Sequence, residues 1–181
     1  MQAGDFYLVQ IHGPGGWLIR LGQALTGDWS RYCHAGIILD DGTALAAHPG
    51  GATIDPLDEI LYDRPLAVSH YDLTLKEQAA VVAAARSYRG RPYSILDYLS
   101  LAAVTFHVRP RWLLNYIAGT GHMICSQLVD QCYLDAGVNL FDDGRFAGDV
   151  TPGDLAYVGT IENIGTGPFV TNEITVPSTL D

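Results

Sequence analysis

Basic side chains are few in this sequence of 181 residues: 10 Lys and Arg stand against 20 Asp and Glu, for a formal net charge of −10. Proteins that bind the phosphate backbone of nucleic acids use clustered Lys and Arg to displace its counterions. The charge balance therefore argues against a nucleic-acid partner. It identifies no other partner and no oligomeric state, since an acidic surface mainly indicates solubility.

Long hydrophobic runs are also missing. The sequence contains no apolar stretch of about 18 residues, the length that a membrane-spanning helix needs. The nearest approach to one, YSILDYLSLAAVTFHV at positions 93–108, is interrupted by Asp97 and Ser100. The N-terminal residues MQAGDFYLVQIHG lack the basic segment and apolar core of a secretory signal peptide. We therefore expect no integral membrane segment and, by default, a cytoplasmic protein.

Cysteine is scarce and odd in number, with 3 residues in the chain. A disulfide framework needs pairs, and it is typical of small secreted proteins. The spacings CxxC and HxxxH, which often mark metal sites, do not occur. Cys33 and His34 are adjacent, but neighbours on a strand point to opposite faces and do not readily bind one ion. The sequence thus predicts no metal site, and it predicts that Cys33 packs opposite to His34.

Hydrophobic residues make up 48% of the chain and charged residues 17%, a composition that supports a folded core. Strand-like and helix-like segments do not alternate regularly, so the pattern indicates the α+β class. We expect one domain at residues 1–159, with residues 160–181 as a C-terminal hairpin or tail that belongs to it. The predicted strands are 5–11, 34–39 and 43–48, and the predicted helices are 17–27, 74–90, one from Ser94 and one from Cys125 to Gly137.

Capping signals support two helix starts. Thr74 and Glu77 form a capping box, and Gly90 follows the end of the same helix. Thr151 is a candidate N-cap with Pro152 in the first turn. This second signal predicts either a short helix or a loop that leads into a strand.

Two cysteines lie in the last long helix, and only Cys125 is at its start. A helix N-terminus carries partial positive charge and N–H groups that have no partner within the helix. A thiol there is shifted towards the thiolate, with a pKa of about 3.5–7.5 when a cationic partner helps, and the N–H groups can stabilise an oxyanion. Cys132, two turns further on, is expected in the core. Taken alone, Cys125 fits a nucleophile and a core residue equally well.

A catalytic thiol also needs a base, and His34 is distinctive among the 6 histidines. It begins a predicted strand, and Gly36 on the same face leaves space beside the imidazole for the close approach of a helix end. If residues 40–42 form a three-residue loop with Gly42 left-handed, His34 lies opposite His48 on the next strand. A two-residue loop would send His48 to the other face. In the first register, His48 is a candidate to orient the His34 ring.

Six short segments follow one another in a recognisable order. They are GDFYLV at Gly4, HAGIIL at His34, ATIDPL at Ala52, YRGRPYSILDY at Tyr88, ICSQLVDQCYLDAG at Ile124 and TPGDLAYV at Thr151. Together they resemble the circularly permuted branch of the NlpC/P60 papain-like superfamily, the group that contains the YiiX-like proteins. In the usual order of that superfamily the cysteine helix precedes the histidine strand, whereas here the histidine strand comes first.

This resemblance implies a papain-like α+β fold with a small antiparallel sheet packed against helices. It implies Cys125 as the nucleophile, His34 as the general base, and Tyr93 as a residue that lines the cleft. The superfamily usually has a polar third residue in the strand after the histidine, and the nearest match here is Ala46. Either His48, two positions later, orients His34, or the triad is incomplete and the pair acts as a dyad.

The function implied by the resemblance is that of a cysteine hydrolase, which cleaves an amide through a thioester on Cys125 without a cofactor. The expected substrate is a small peptide or a peptidoglycan-like acyl amide. A thioesterase or lipid acyl hydrolase is an alternative, because the same site serves esters, although ICSQLV differs from the NCEHF setting of the lecithin:retinol acyltransferase group. A non-catalytic binding or structural module with a degenerate site is a second alternative.

Overall fold

The structure is a computed structural model of the chain. It describes residues 1–13, 16–17, 20, 23–24, 30–48, 50–61, 66–92, 124–147 and 150–165. Tyr93 and the helix predicted from Ser94 lie outside these residues. Most of the helix predicted at 17–27 lies outside them too, and its described positions 17, 20, 23 and 24 are helical.

The described residues form a six-stranded sheet, with helices against both of its faces. Neighbouring strands are antiparallel throughout, in the order β4-β3-β2-β1-β5-β6. This arrangement confirms the α+β class. The strands are β1 (Phe6–Val9), β2 (His34–Ile38), β3 (Thr43–His48), β4 (Gly51–Pro56), β5 (Leu66–His70) and β6 (Thr160–Gly165), and the helices are α1 (Leu57–Leu61), α2 (Leu75–Ser87), α3 (Cys125–Asp135) and α4 (Pro152–Leu155).

The two faces of the sheet are covered by different helices. Ala35 and Ile37 of β2 lie in the larger apolar cluster, together with buried side chains of α2 and α3. Tyr7, Ile38 and other residues of the opposite face form a second cluster with side chains of α1. Side chains of a strand alternate between the two faces, so β1, β2, β3 and β5 contribute to both clusters. Among the described helices, none is long and apolar enough to span a bilayer.

The predicted hairpin between β2 and β3 is confirmed in its register. Ile37 pairs with Leu45, and the Leu39 N–H donates to the Thr43 carbonyl at 2.9 Å. Residues 40–42 are therefore a three-residue loop, and Gly42 has a φ of 78°, in the left-handed region. Glycine adopts this conformation without the clash that a Cβ causes. The loop thus sets which residues of β2 and β3 share a face.

Both predicted capping signals are confirmed. In α2 the Thr74 hydroxyl accepts from the Glu77 N–H at 3.3 Å, and the Glu77 carboxylate accepts from the Thr74 N–H at 2.8 Å. Thr151 caps α4 in the same way through Asp154, and the chain then enters β6. The two alternatives for this region are thus both realised in succession, as a short helix followed by a strand.

The sequence analysis missed three strands of the sheet. It assigned no element to β4 or β5, and it treated the start of the C-terminal segment as a hairpin or tail. Residues 160–165 instead form the edge strand β6, which pairs with β5, while residues 166–181 lie outside the described residues. These strands are only 5 or 6 residues long. Such short segments carry little periodicity, and their partners are distant in sequence.

Candidate functional site

Cys125 is the first residue of α3, as the sequence predicted. The preceding residue, Ile124, is the N-cap with an extended backbone (φ −84°, ψ 161°), and its side chain makes no capping hydrogen bond. The first turn therefore keeps the partial positive charge of the helix dipole beside the thiol. Cys125 is buried, with 1% of its surface exposed.

The contacts of α3 relate its position to that of β2. The Tyr133 hydroxyl in the second half of α3 donates to the Gly4 carbonyl, and the Gly4 N–H donates to the Ile38 carbonyl at 2.9 Å. Tyr133 is thus tied to the Ile38 end of β2. The eight residues back to Cys125 span about 12 Å of helix, and the four residues back to His34 span about 13 Å of strand. Since α3 packs against β2, we infer from these similar spans that both elements begin near the same end of the sheet.

The structure brings His34 and His48 together. The β2–β3 register, continued by two residues from the pair Gly36–Ala46, sets them opposite one another. Their ring centroids are 5.4 Å apart, with an angle of 38° between the ring planes. His34 is buried, whereas His48 is half-buried. The two imidazoles therefore lie on one face of the sheet, as predicted. His48 is within reach to orient the His34 ring.

A third ring of this group, Tyr7, was missed by the sequence analysis. Its centroid lies 6.4 Å from that of His34, with an angle of 63° between the planes. Tyr7 pairs with Gly36 across β1 and β2, and a Cβ at Gly36 would overlap the Tyr7 hydroxyl. The space that the sequence analysis reserved for a helix end is thus filled by Tyr7. The cross-strand pairing of β1 with β2 was the signal that could have identified it.

Strand alternation separates the imidazoles from the main contact surface of α3. Ala35 and Ala47, the sequence neighbours of His34 and His48, belong to the cluster that contains Cys125. His34 shares the alternate positions of β2 with Gly36 and Ile38, and His48 shares those of β3 with Ala46. These positions lie on the opposite face of the sheet, with Tyr7. An approach of Cys125 to His34 therefore runs around the end of β2 and not through the packed layer between α3 and the sheet.

The other two cysteines differ from Cys125 in their surroundings. Cys132 is fully buried in the cluster beneath α3, and burial raises the pKa of its thiol well above the ordinary value. The predicted core role of Cys132 is thus confirmed. Cys33 is also buried, and its sulfur accepts from the Ile11 N–H at 2.9 Å beyond the end of β1. Neither position is at a helix N-terminus, so neither has the dipole that favours a thiolate.

Two further titratable side chains, His70 and Asp130, have partners or burial that belong to the framework of the fold. His70 bridges two carboxylates, with Nδ1 at 2.8 Å from Asp5 Oδ2 and Nε2 at 3.3 Å from Glu162 Oε2. It thereby ties the edge of the sheet to the start of β1. Asp130 of α3 is buried, and burial raises the pKa of its carboxyl to about 6 despite the opposing field of Arg145. Its Oδ1 accepts no hydrogen bond from the described residues.

Of the residues predicted for the site, Tyr93 lies outside the described residues.

The part of the chain that the structure describes offers few side chains that could bind a metal ion together. No group of three or more His, Cys, Asp or Glu side chains there is arranged to hold an ion. The closest approach of two histidine rings, between His34 and His48, offers two donors where protein sites usually supply at least three.

Comparison with known proteins finds a similarity in structure. No family model matches the sequence, and no curated protein matches it either. Among solved structures, the metalloprotein YiiX of Escherichia coli O157:H7 is similar, with a TM-score of 0.61 and 16% sequence identity. The alignment covers 92% of this chain and 97% of YiiX. At this identity the match carries the fold alone, and over almost its whole length the chain has a fold similar to that of YiiX.

Proposed function

We propose that this protein is a cysteine hydrolase that cleaves an amide bond, with Cys125 as nucleophile and His34 as general base. One observation carries the proposal: Cys125 is the first residue of α3, and α3 packs against β2, the strand that begins with His34 beside His48. A thiol at a helix N-terminus, an imidazole near it and a second group that orients the imidazole are the parts that thiol hydrolases combine. The expected substrate is a small peptide or a peptidoglycan-like acyl amide.

Each residue has a distinct role in the proposed reaction. His34 takes the thiol proton, and the Cys125 sulfur attacks the carbonyl carbon of the amide. The N–H groups in the first turn of α3 stabilise the oxyanion that forms on the carbonyl oxygen. His34 then gives its proton to the leaving amine as the C–N bond breaks, which leaves a thioester on Cys125. Water, deprotonated by His34, hydrolyses the thioester and restores the thiol.

The proposal also includes the family to which the chain belongs. We assign the chain to the circularly permuted NlpC/P60 papain-like group, on the order of its motifs and on the similarity of its fold to that of YiiX. The name of YiiX describes a metalloprotein. For this chain the described donors do not fit a metal centre, because no cluster of three exists among them. No step of the proposed mechanism therefore passes through a metal ion.

A second candidate, a non-catalytic module that keeps a degenerate site, is favoured by specific observations. Ala35 and Ala47, and not the two histidines, lie in the cluster with Cys125. Cys125 and His34 are also deeply buried, at 1% and 6% exposure. A hydrolase needs access to the sulfur, whereas a structural core does not. These observations make thiol reactivity the property that separates the two candidates.

The test is the pH dependence of Cys125 alkylation by iodoacetamide, with the modified cysteine identified by mass spectrometry. We expect fast modification of Cys125 at neutral pH, a titration midpoint well below about 8.5, and protection of Cys33 and Cys132. His34→Ala should raise the midpoint, and Cys125→Ser should abolish the fast modification. Equal, slow modification of all three cysteines in the native parent would contradict the hydrolase and favour the structural module.

A substrate assay then separates amides from esters. Acyl dipeptides, peptidoglycan fragments and acyl thioesters are offered to the parent and to Cys125→Ser, and the released amine or thiol is measured. Amide cleavage that depends on Cys125 supports the proposal. Cleavage of thioesters with no turnover of any amide would instead identify the thioesterase that shares the same site chemistry.

A further inference from the structure

The Tyr7 ring extends across β2 at the position where any other residue in place of Gly36 would carry its side chain. Tyr7 and Gly36 are direct partners in the β1–β2 pairing, and Val9 and His34 are the next pair on the same face. A Cβ built on Gly36 would overlap the hydroxyl oxygen and the Cζ of Tyr7, and also the backbone carbonyl oxygen of Leu45 in β3. The glycine is therefore a condition for this orientation of the Tyr7 ring, since no side chain fits beneath it.

The His34 ring is consequently bordered by two other rings. Tyr7 approaches with its plane at 63° and its centroid 6.4 Å away, an edge-type contact. His48 borders the imidazole from the neighbouring strand, with its centroid 5.4 Å away. Tyr7 is fully buried and His34 nearly so, which leaves the imidazole little room for other orientations.

We infer that Tyr7 is a positioning residue, which together with Gly36 holds the His34 imidazole in one orientation. The inference rests on the proposed function, in which His34 must present one ring nitrogen to the Cys125 thiol. The aromatic ring of Tyr7 makes the contact that positions the His34 imidazole, because the Tyr7 hydroxyl lies over Gly36, two residues from His34. An imidazole that changes its orientation or tautomer loses general-base function even while the domain stays folded.

Two substitutions of Tyr7 separate the ring from the rest of the side chain. Tyr7→Phe keeps the ring, so His34 should behave as in the parent. Tyr7→Leu keeps apolar volume without an aromatic edge, and it should slow Cys125 alkylation at neutral pH by about 10-fold, the order seen when a side chain that orients another is removed. Leu57→Ala is the matched control, because Leu57 is buried in the same cluster and its loss makes a cavity without removing a ring beside His34.

Imidazole ¹⁵N chemical shifts of His34 give a readout that does not depend on the thiol. They are measured in a Cys125→Ser background, where they report the tautomer and the pKa of the ring. We expect Tyr7→Leu to move the shifts towards a mixture of tautomers, and Tyr7→Phe and Leu57→Ala to leave them unchanged.

The outcomes distinguish this inference from the proposed function. Unchanged His34 shifts and unchanged alkylation in Tyr7→Leu would overturn the positioning role while the hydrolase stands. An equal loss in Leu57→Ala would overturn it as well, since the effect would then be one of general destabilisation. A parent in which Cys125 does not react at all would remove the hydrolase, whereas a change of the His34 shifts in Tyr7→Leu alone would still support the positioning of the His34 ring by Tyr7.

Discussion

His34 and His48 face each other across two neighbouring strands, with their ring centroids 5.4 Å apart. The relationship follows from a loop of three residues, which makes Leu39 and Thr43 the last hydrogen-bonded pair of the hairpin. Ala46, the nearest match to the polar third residue of NlpC/P60 proteins, has no group that can accept a proton. The pair therefore makes His48 a candidate to orient His34 through a hydrogen bond, beside the ring contact that Tyr7 makes.

Replacement of His48 tests that role directly. A neutral imidazole donates from one nitrogen and accepts at the other, so His48 can select the His34 tautomer through one hydrogen bond. We expect His48→Ala to slow Cys125 alkylation by less than the roughly 10⁴-fold loss seen when a triad loses its orienting group, with the free energy of unfolding little changed. His12→Ala is the control, since His12 is exposed. If His48→Ala reacts like the parent, Cys125 and His34 are at best a dyad.

Gly42 should be sensitive to substitution through its backbone alone. A Cβ built at Gly42 meets nothing within 4 Å, but the φ of 78° is unfavourable for residues with a Cβ. We expect Gly42→Ala to lower the free energy of unfolding by about 1–2 kcal/mol, and Gly42→Asn to lower it less, because asparagine tolerates this conformation better. Urea unfolding measures both. An Ala variant as stable as the parent would mean that the loop readily adopts another conformation.

Asp130 should make stability fall as the pH rises. Its pKa is raised from 3.8 to about 6 in the folded protein, so between these values the folded state binds more protons than the unfolded state. The contribution of Asp130 is therefore greatest below about pH 4 and is lost as the pH rises through about 6, with a slope of at most about 1.4 kcal/mol per pH unit. Asp130→Asn should remove this slope in urea unfolding measured between pH 4 and 7. The same slope in parent and variant would assign it to other groups.

Tyr133 should contribute to the attachment of α3 at the Ile38 end of β2. Its hydroxyl is buried and donates to the Gly4 carbonyl, and the loss of a buried hydrogen bond costs about 1 kcal/mol. We expect Tyr133→Phe to lower the free energy of unfolding by that amount and to slow Cys125 alkylation only slightly. Tyr157→Phe, at a side chain that is 79% exposed, should change neither. Equal stability of Tyr133→Phe and the parent would show that packing alone attaches the helix.

Local features of the structure were predictable because they depend on residues close together in the chain. The capping boxes at Thr74 and Thr151 join residues three positions apart. The β2–β3 register follows from a loop of three residues and the left-handed Gly42. The start of α3 at Cys125 was likewise evident from the helical pattern that follows it. Each of these features is decided by contacts within one turn or one hairpin.

Which side chains lie on each face of the sheet at the site depended on contacts between residues that are distant in sequence. Tyr7 lies over Gly36 only because β1 pairs with β2, and α3 is attached beside the Ile38 end of β2 because Tyr133 reaches Gly4, 129 positions away. Nothing near His34 in sequence indicates that its neighbour Ala35 packs in the cluster beneath α3. The sequence by itself thus determined where α2, α3 and α4 begin and which histidines share a face. Only the tertiary structure decided which face α3 covers, because that choice is made by the packing of whole elements against one another.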